Sequence, residues 1–137
     1  MDTRLPAEIR PVLDNGIPAA MVTCSADGIP NATVISQVYF VDDTHVALSF
    51  QFFSKTMRNV RENPRAHVTV HDIQGLARWL LELEFEHSET EGPIFDAMDM
   101  QIEAIASMTG MTGIFKLRAA DIYRVISVEK QPYAPHA

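Results

Sequence analysis

The residues best suited to chemistry in this chain lie together at Ser54-Lys55-Thr56. Ser54 follows an apolar run and can cap a helix in which Met57 and Val60 share one face and Asn63-Pro64 forms the stop. The first turn of that helix offers free backbone N–H groups, two hydroxyls and the Lys55 ammonium, a donor set that suits a phosphate. A capped connector whose basic residues only face water fits the same letters. Ser49, Phe50, Gln51 and Phe53 come just before. Aromatic rings beside a phosphate cradle can pack around a planar cofactor, although Phe50, Phe52 and Phe53 serve equally well as core. A cofactor held through its phosphate and ring edges brings its own redox chemistry, which accounts for the absence of an evident catalytic set.

Other chemistry is sparse. The sequence contains no glycine-rich nucleotide fingerprint, no Walker-type phosphate loop and no paired-cysteine or His-x-x-x-His zinc motif on a helix. His45, His67, His71, His87 and His136 are scattered, and His67 and His71 read as rim histidines rather than a metal pair. Glu82, Glu84 and Glu86 share one face of a strand, where a buried row of like charges is costly, so they mark a solvated outer surface. Asp42-Asp43 reads as turn chemistry. The lone Cys24 excludes an intrachain disulfide and reads as a small buried hydrophobe in a reducing, cytoplasmic setting. With 18 acidic and 11 basic residues the formal charge is -7, which argues against broad attraction to nucleic acid or anionic lipid. No run of eighteen apolar residues and no secretory core after Met1–Arg4 point to a membrane.

The elements that must position Ser54–Thr56 follow from periodicity. At 137 residues and 47% apolar content the chain is expected to be one domain, 1–137, with 1–16 a helical cover and 131–137 a loose tail. Ile9 and Val12 or Leu13 face inward on a short helix over Pro6–Asn15, and Ala19–Cys24 is a strand turning at Ser25–Gly28. Asn31–Phe40 is a second strand in two parts, Val46–Phe50 a third, and Arg65–Val70 a fourth with Ala66, Val68 and Val70 on one side. The next strand alternates most clearly, with Ala77, Trp79, Leu81, Leu83 and Phe85 on one parity and Arg78, Glu82, Glu84 and Glu86 on the other. Gly92-Pro93 opens a helix carrying Ile94 or Phe95, Met98, Ile102 and Ile105 inward. Ser107–Gly113 reads as a loop, and Ile114–Arg118 with Ile122–Val128 as a final pair of strands or one long strand broken at Ala119-Ala120-Asp121. Six or seven strands with two or three helices fit a mainly β, mostly antiparallel closed or half-closed barrel with helices at its margins. So much sheet in a small chain leaves edges that dimerisation commonly protects.

Across Ile17–Val128 the sequence resembles the pyridoxamine 5'-phosphate oxidase-related flavoproteins, which have the FMN-binding split-barrel fold. The resemblance rests on Pro30–Ser36, Val41–Ser49, Phe52–Val60 with Asn63-Pro64-Arg65, and Gly113–Val125, and the wording is closer to bacterial members without an assigned reaction than to the oxidases. It implies a six- or seven-stranded antiparallel split barrel and a homodimer that binds FMN in clefts between subunits. By position, Ser54, Lys55 and Thr56 fall on the phosphate loop, with Lys55 and Thr56 where the oxidases carry an Arg-Lys pair and with Arg58 and Arg61 as compensating cations. Thr33, Val34, Ile35, Ser36 and Gln37 fall on the strand lining the flavin ring, and Ser49 and Phe50 on the pair before the phosphate loop. The oxidases' C-terminal Arg/His segment has no counterpart near Gln131-Pro132, which argues against true pyridoxamine-phosphate oxidase activity. The resemblance therefore implies an FMN-dependent oxidoreductase acting on a small substrate or nicotinamide donor, or alternatively a non-catalytic module binding flavin, F420 or haem.

Overall fold

The computed structural model describes residues 3–50, 54–109 and 116–133. Strands β1 (Ala19–Cys24), β2 (Pro30–Ile35), β3 (Val38–Asp42), β4 (His45–Phe50), β5 (Arg65–Asp72), β6 (Ala77–Glu89) and β7 (Ala119–Pro132) form one seven-stranded antiparallel sheet, ordered β2-β1-β5-β6-β7-β4-β3. Three helices flank it: α1 (Arg10–Leu13), continuing a 3-10 turn over Ala7–Ile9, then α2 (Ser54–Glu62) and α3 (Pro93–Thr109). This arrangement matches a split barrel, with β2 and β3 as the two edges.

Alternation builds the interior. Ala66, Val68 and Val70 of β5 and Trp79, Leu81 and Leu83 of β6 are all buried on the same side, together with Met21, Val46, Leu48, Tyr123 and Val125. From β6 the opposite parity faces outward. There the three carboxylates each meet a different side chain, Glu82 with His67 at 2.5 Å, Glu84 with Arg124 at 2.7 Å and Glu86 with His45 at 2.9 Å. Ile9, Val12 and Leu13 all join the interior cluster, so the turn and helix that carry them pack against the sheet.

A second, smaller core lies on the outer side of β4 and β7. Ala47, Ala120 and Ile122 pack there with Met98 and Ile102 of α3. Met98, Ile102 and Ala106 recur four apart and are buried, which fixes the inward face of α3. The side chain of Ile105 lies outside the described residues.

Turn chemistry sets the connections. Gly28 adopts φ 81, and its N–H donates to the Ser25 carbonyl at 3.0 Å in the β1–β2 hairpin. Between β3 and β4 the Asp42 carboxylate accepts from the Thr44 N–H and hydroxyl, both at 2.9 Å. Partial burial pushes the Asp42 carboxyl up, but the hydrogen bonds from Thr44 and His45 outweigh it and hold the group below its ordinary range.

The end of the chain departs from expectation. Ala119-Ala120-Asp121 is no break: these residues open β7 and pair with Phe50, Ser49 and Leu48 of β4. Lys116–Arg118 precede the strand without joining it, and Ile114 and Phe115 lie outside the described residues. Helix α3 runs on through Thr109, taking in the start of the expected loop, while 110–113 lie outside the described residues. Gln131 and Pro132, expected in a loose tail, pair with Arg78 and Ala77, whereas residues 134–137 lie outside the described residues.

Candidate functional site

Helix α2 is held at one end of the sheet by its apolar and amide side chains. Met57 and Val60 are buried in the main core, and the Asn59 Nδ2 donates to the Thr23 Oγ1 of β1 at 3.2 Å, with both residues buried. Thr56 is also buried, at 3% exposure, and its Oγ1 accepts from the Asn31 Nδ2 of β2 at 3.2 Å. The inward residues 56, 57, 59 and 60 leave Lys55 and Arg58, three apart, together on the exposed side. Ser54 opens the helix; its side chain, and residues 51–53, lie outside the described residues.

The structure therefore divides the expected phosphate ligands. Lys55 stands in solvent in the first turn of α2 and Arg58 in solvent about one turn further along; the helix dipole favours an anion at this end of the helix. Thr56 instead ties α2 to β2 through a hydroxyl already engaged with Asn31.

The residues expected along a flavin ring are also divided. Thr33 and Ile35 face inward from β2, half-buried and fully buried respectively, whereas Val34 points the other way at 63% exposure. Ser36 and Gln37 form the junction between β2 and β3. The Ser49 N–H donates to the Gln37 carbonyl at 3.3 Å, which brings Ser49 of β4 beside this junction. Both side chains are buried, and neither Ser49 Oγ nor Gln37 Oε1 has a hydrogen-bond partner among the described residues. Phe50 ends β4 opposite Ala119, with its side chain outside the described residues.

Two residues with unusual surroundings were not singled out by the sequence. Gln101 of α3 accepts a hydrogen bond from the Gln37 Nε2, a contact spanning 64 positions that no local pattern announces. Asp121 of β7 is buried and accepts from the Ser88 Oγ at 2.6 Å. Burial lifts its carboxyl to about 6, against the Ser88 hydrogen bond and the field of Arg61. Burial also raises the Tyr123 phenol, with Asp121 adding to the effect. The signal for Asp121 was a single acid inside the otherwise apolar Ala-Ala-Asp-Ile-Tyr stretch. Among the described residues, no group of three or more His, Cys, Asp or Glu is placed to hold a metal, and no helix is long and apolar enough to cross a membrane.

Residues 5–126 match the family model described as pyridoxamine 5'-phosphate oxidase. The chain belongs to the pyridoxamine 5'-phosphate oxidase family. Solved structures share the fold at low identity. An FMN-binding protein from Syntrophomonas wolfei subsp. wolfei is 16% identical, with a TM-score of 0.74 over 88% of this chain and 82% of that one. An F420 reductase is 12% identical, with a TM-score of 0.65 over 91% and 98%. HutZ, the heme storage protein from Vibrio cholerae, is 16% identical, with a TM-score of 0.60 over 93% and 95%. The comparison with curated proteins gave no match. Family membership thus joins this chain to a fold whose relatives carry different small cofactors.

Proposed function

We propose that this chain is a cofactor-binding module that holds FMN by its phosphate at the start of α2. The observation that carries the reading is the pairing of Lys55 and Arg58 on the exposed side of a helix whose other side is pinned to β1 and β2. The donor set suits a phosphate: Lys55 lies in the first turn, Arg58 follows one turn on with its side chain inclined toward the amino end, the helix dipole is positive there, and the helix is already formed. In this reading Arg58 takes the part of the second basic ligand, because Thr56 is occupied with Asn31. Thr33, Ser36, Gln37 and Ser49 border the ring side of the cleft, and Val34 and Ile35 contribute backbone groups there.

The module works as a homodimer with its cofactor clefts between subunits. Support comes from the outward face of the β1–β2 edge, where Ala20, Ala32 and Val34 are exposed and apolar. The lone Cys24 suits a reducing cytoplasm. Sedimentation of the purified chain tests the dimer, and a monomer at micromolar concentration contradicts it.

A second reading, favoured by the oxidase family model, is an FMN-dependent oxidoreductase. When bound, the flavin supplies hydride chemistry toward a small substrate or nicotinamide donor, and the chain's own residues bind and orient it. The FMN-loaded protein, mixed anaerobically with a nicotinamide donor and then exposed to oxygen, separates the two readings. Repeated cycles of bleaching and recovery establish the enzyme, whereas an unbleached flavin leaves the binding module. Failure to take up FMN contradicts both and makes F420 and haem the ligands to test.

A further inference from the structure

We propose that the cavity between the Asp14–Ile17 turn, the β2–β3 junction and α3 binds a small neutral carboxamide, read by the side-chain amides of Gln37 and Gln101. The cavity measures about 260 Å³, and both glutamines line it. It lies at the Ala19–Ile35 end of the β1–β2 pair, whereas α2 is tied to the Asn31 and Thr23 end. From Asn31 to Ile35 the strand advances roughly 13 Å, so this site stands apart from the proposed phosphate cradle, while sharing Ser36 and Gln37 with the proposed ring side of the cleft.

The chemistry follows from what the glutamines leave open. Gln37 is 7% exposed; its Nε2 donates to Gln101 Oε1, and its own Oε1 has no partner among the described residues. A buried amide oxygen without a donor is unfavourable and is normally satisfied. As the side chain rests, that oxygen is closed off from solvent; in the proposed complex the terminal amide turns about its broad χ3 torsion so that the oxygen faces the cavity Gln37 lines, giving up its present bond to Gln101. Gln37 Oε1 then accepts while the Gln101 NH₂ donates, a pair that matches the N–H and C=O of one carboxamide group. Asp14 is the one charged residue among those lining the cavity, so a phosphate or carboxylate meets an unpaired acceptor and a like charge. The apolar walls at Val12, Ile17 and Val38 suit a small ring or alkyl group on the carboxamide.

The test titrates the flavin-free full chain with benzamide and, separately, with benzoate, its anionic isostere without the N–H donor. The side-chain amide resonances of Gln37 and Gln101 are followed in isotope-labelled protein. Benzamide is expected to shift both and to bind at least about tenfold more tightly than benzoate, the worth of one hydrogen bond. Gln37→Met keeps the length of the side chain and removes the acceptor; it is expected to abolish benzamide binding while leaving Tm unchanged or raised. Gln101→Met, at an exposed helix position, is expected to weaken benzamide binding in the same way and serves if Gln37→Met does not fold. Equal binding of the two probes, no shift at either glutamine, or undiminished binding by the variants overturns the proposal, as does a bound water at Gln37 that benzamide does not displace. Because no flavin is present, the outcome stands apart from that of the FMN reading.

Discussion

Replacing Asp121 with Asn tests how the sheet holds a buried acid. Asp121 is 4% exposed and accepts from Ser88 Oγ at 2.6 Å, and burial, the largest influence, lifts its carboxyl from the ordinary 3.8 to about 6. The folded state therefore binds this proton more tightly than the unfolded chain does. Below the unfolded value both states are protonated and nothing is lost. As pH rises from there through the folded value, stability falls, and above it the full penalty remains. A rise from 3.8 to about 6 corresponds to about 3 kcal/mol at 1.36 kcal/mol for each pH step. Asp121→Asn keeps the shape and still accepts from Ser88 but cannot ionise. Urea unfolding at about pH 4 and about pH 7 is expected to show the variant gaining up to about 3 kcal/mol on the wild type between the two conditions, with the other acids cancelling in the difference. A difference that stays constant within about 0.5 kcal/mol refutes the argument that burial governs this group.

Three further substitutions probe what positions α2 and the sheet. Asn59→Ala removes the buried bond to Thr23 Oγ1 and is expected to lower unfolding free energy by about 1–3 kcal/mol in urea melts; an unchanged midpoint would show that α2 is not anchored there. Leu81→Ala, at a fully buried site of β6, is expected to cost about 2–5 kcal/mol by the same assay, and a loss below about 1 kcal/mol would contradict its place in the core. Arg124→Ala breaks the half-exposed pair with Glu84 and is expected to change stability by no more than about 1 kcal/mol, with the effect fading in salt; a larger, salt-independent loss would mean the pair is shielded from solvent.

The sequence was most legible where one periodicity ruled a whole element. Alternation in β5 and β6 identified the inward residues, and the two-part reading of Asn31–Phe40 matches the separate β2 and β3. The helical phase of α2 carried more than was taken from it. Thr56 lies four residues before buried Val60, a spacing that marks it as inward, but its place in the family motif suggested a phosphate ligand. At the start of β7, Ala and Asp are weak strand formers, so Ala119–Asp121 read as a break. Pairing with β4, the cover of α3 over Ala120 and the Ser88 hydroxyl override that preference. The Gln37–Gln101 contact and the partners of Glu82, Glu84 and Glu86 join distant segments, and only the sheet register and the packing of α3 bring them together.

FMN titration of the wild type beside Lys55→Ala, with Arg58→Ala in parallel, tests the central claim most directly. Each cation contributes one charge-assisted contact to the proposed phosphate site, so each variant is expected to bind roughly 10- to 100-fold more weakly, equivalent to roughly 1.5–3 kcal/mol, while its Tm without ligand stays near that of the wild type. Wild-type protein that takes up no FMN, or variants that bind it as tightly as the wild type, would contradict a phosphate cradle at the start of α2.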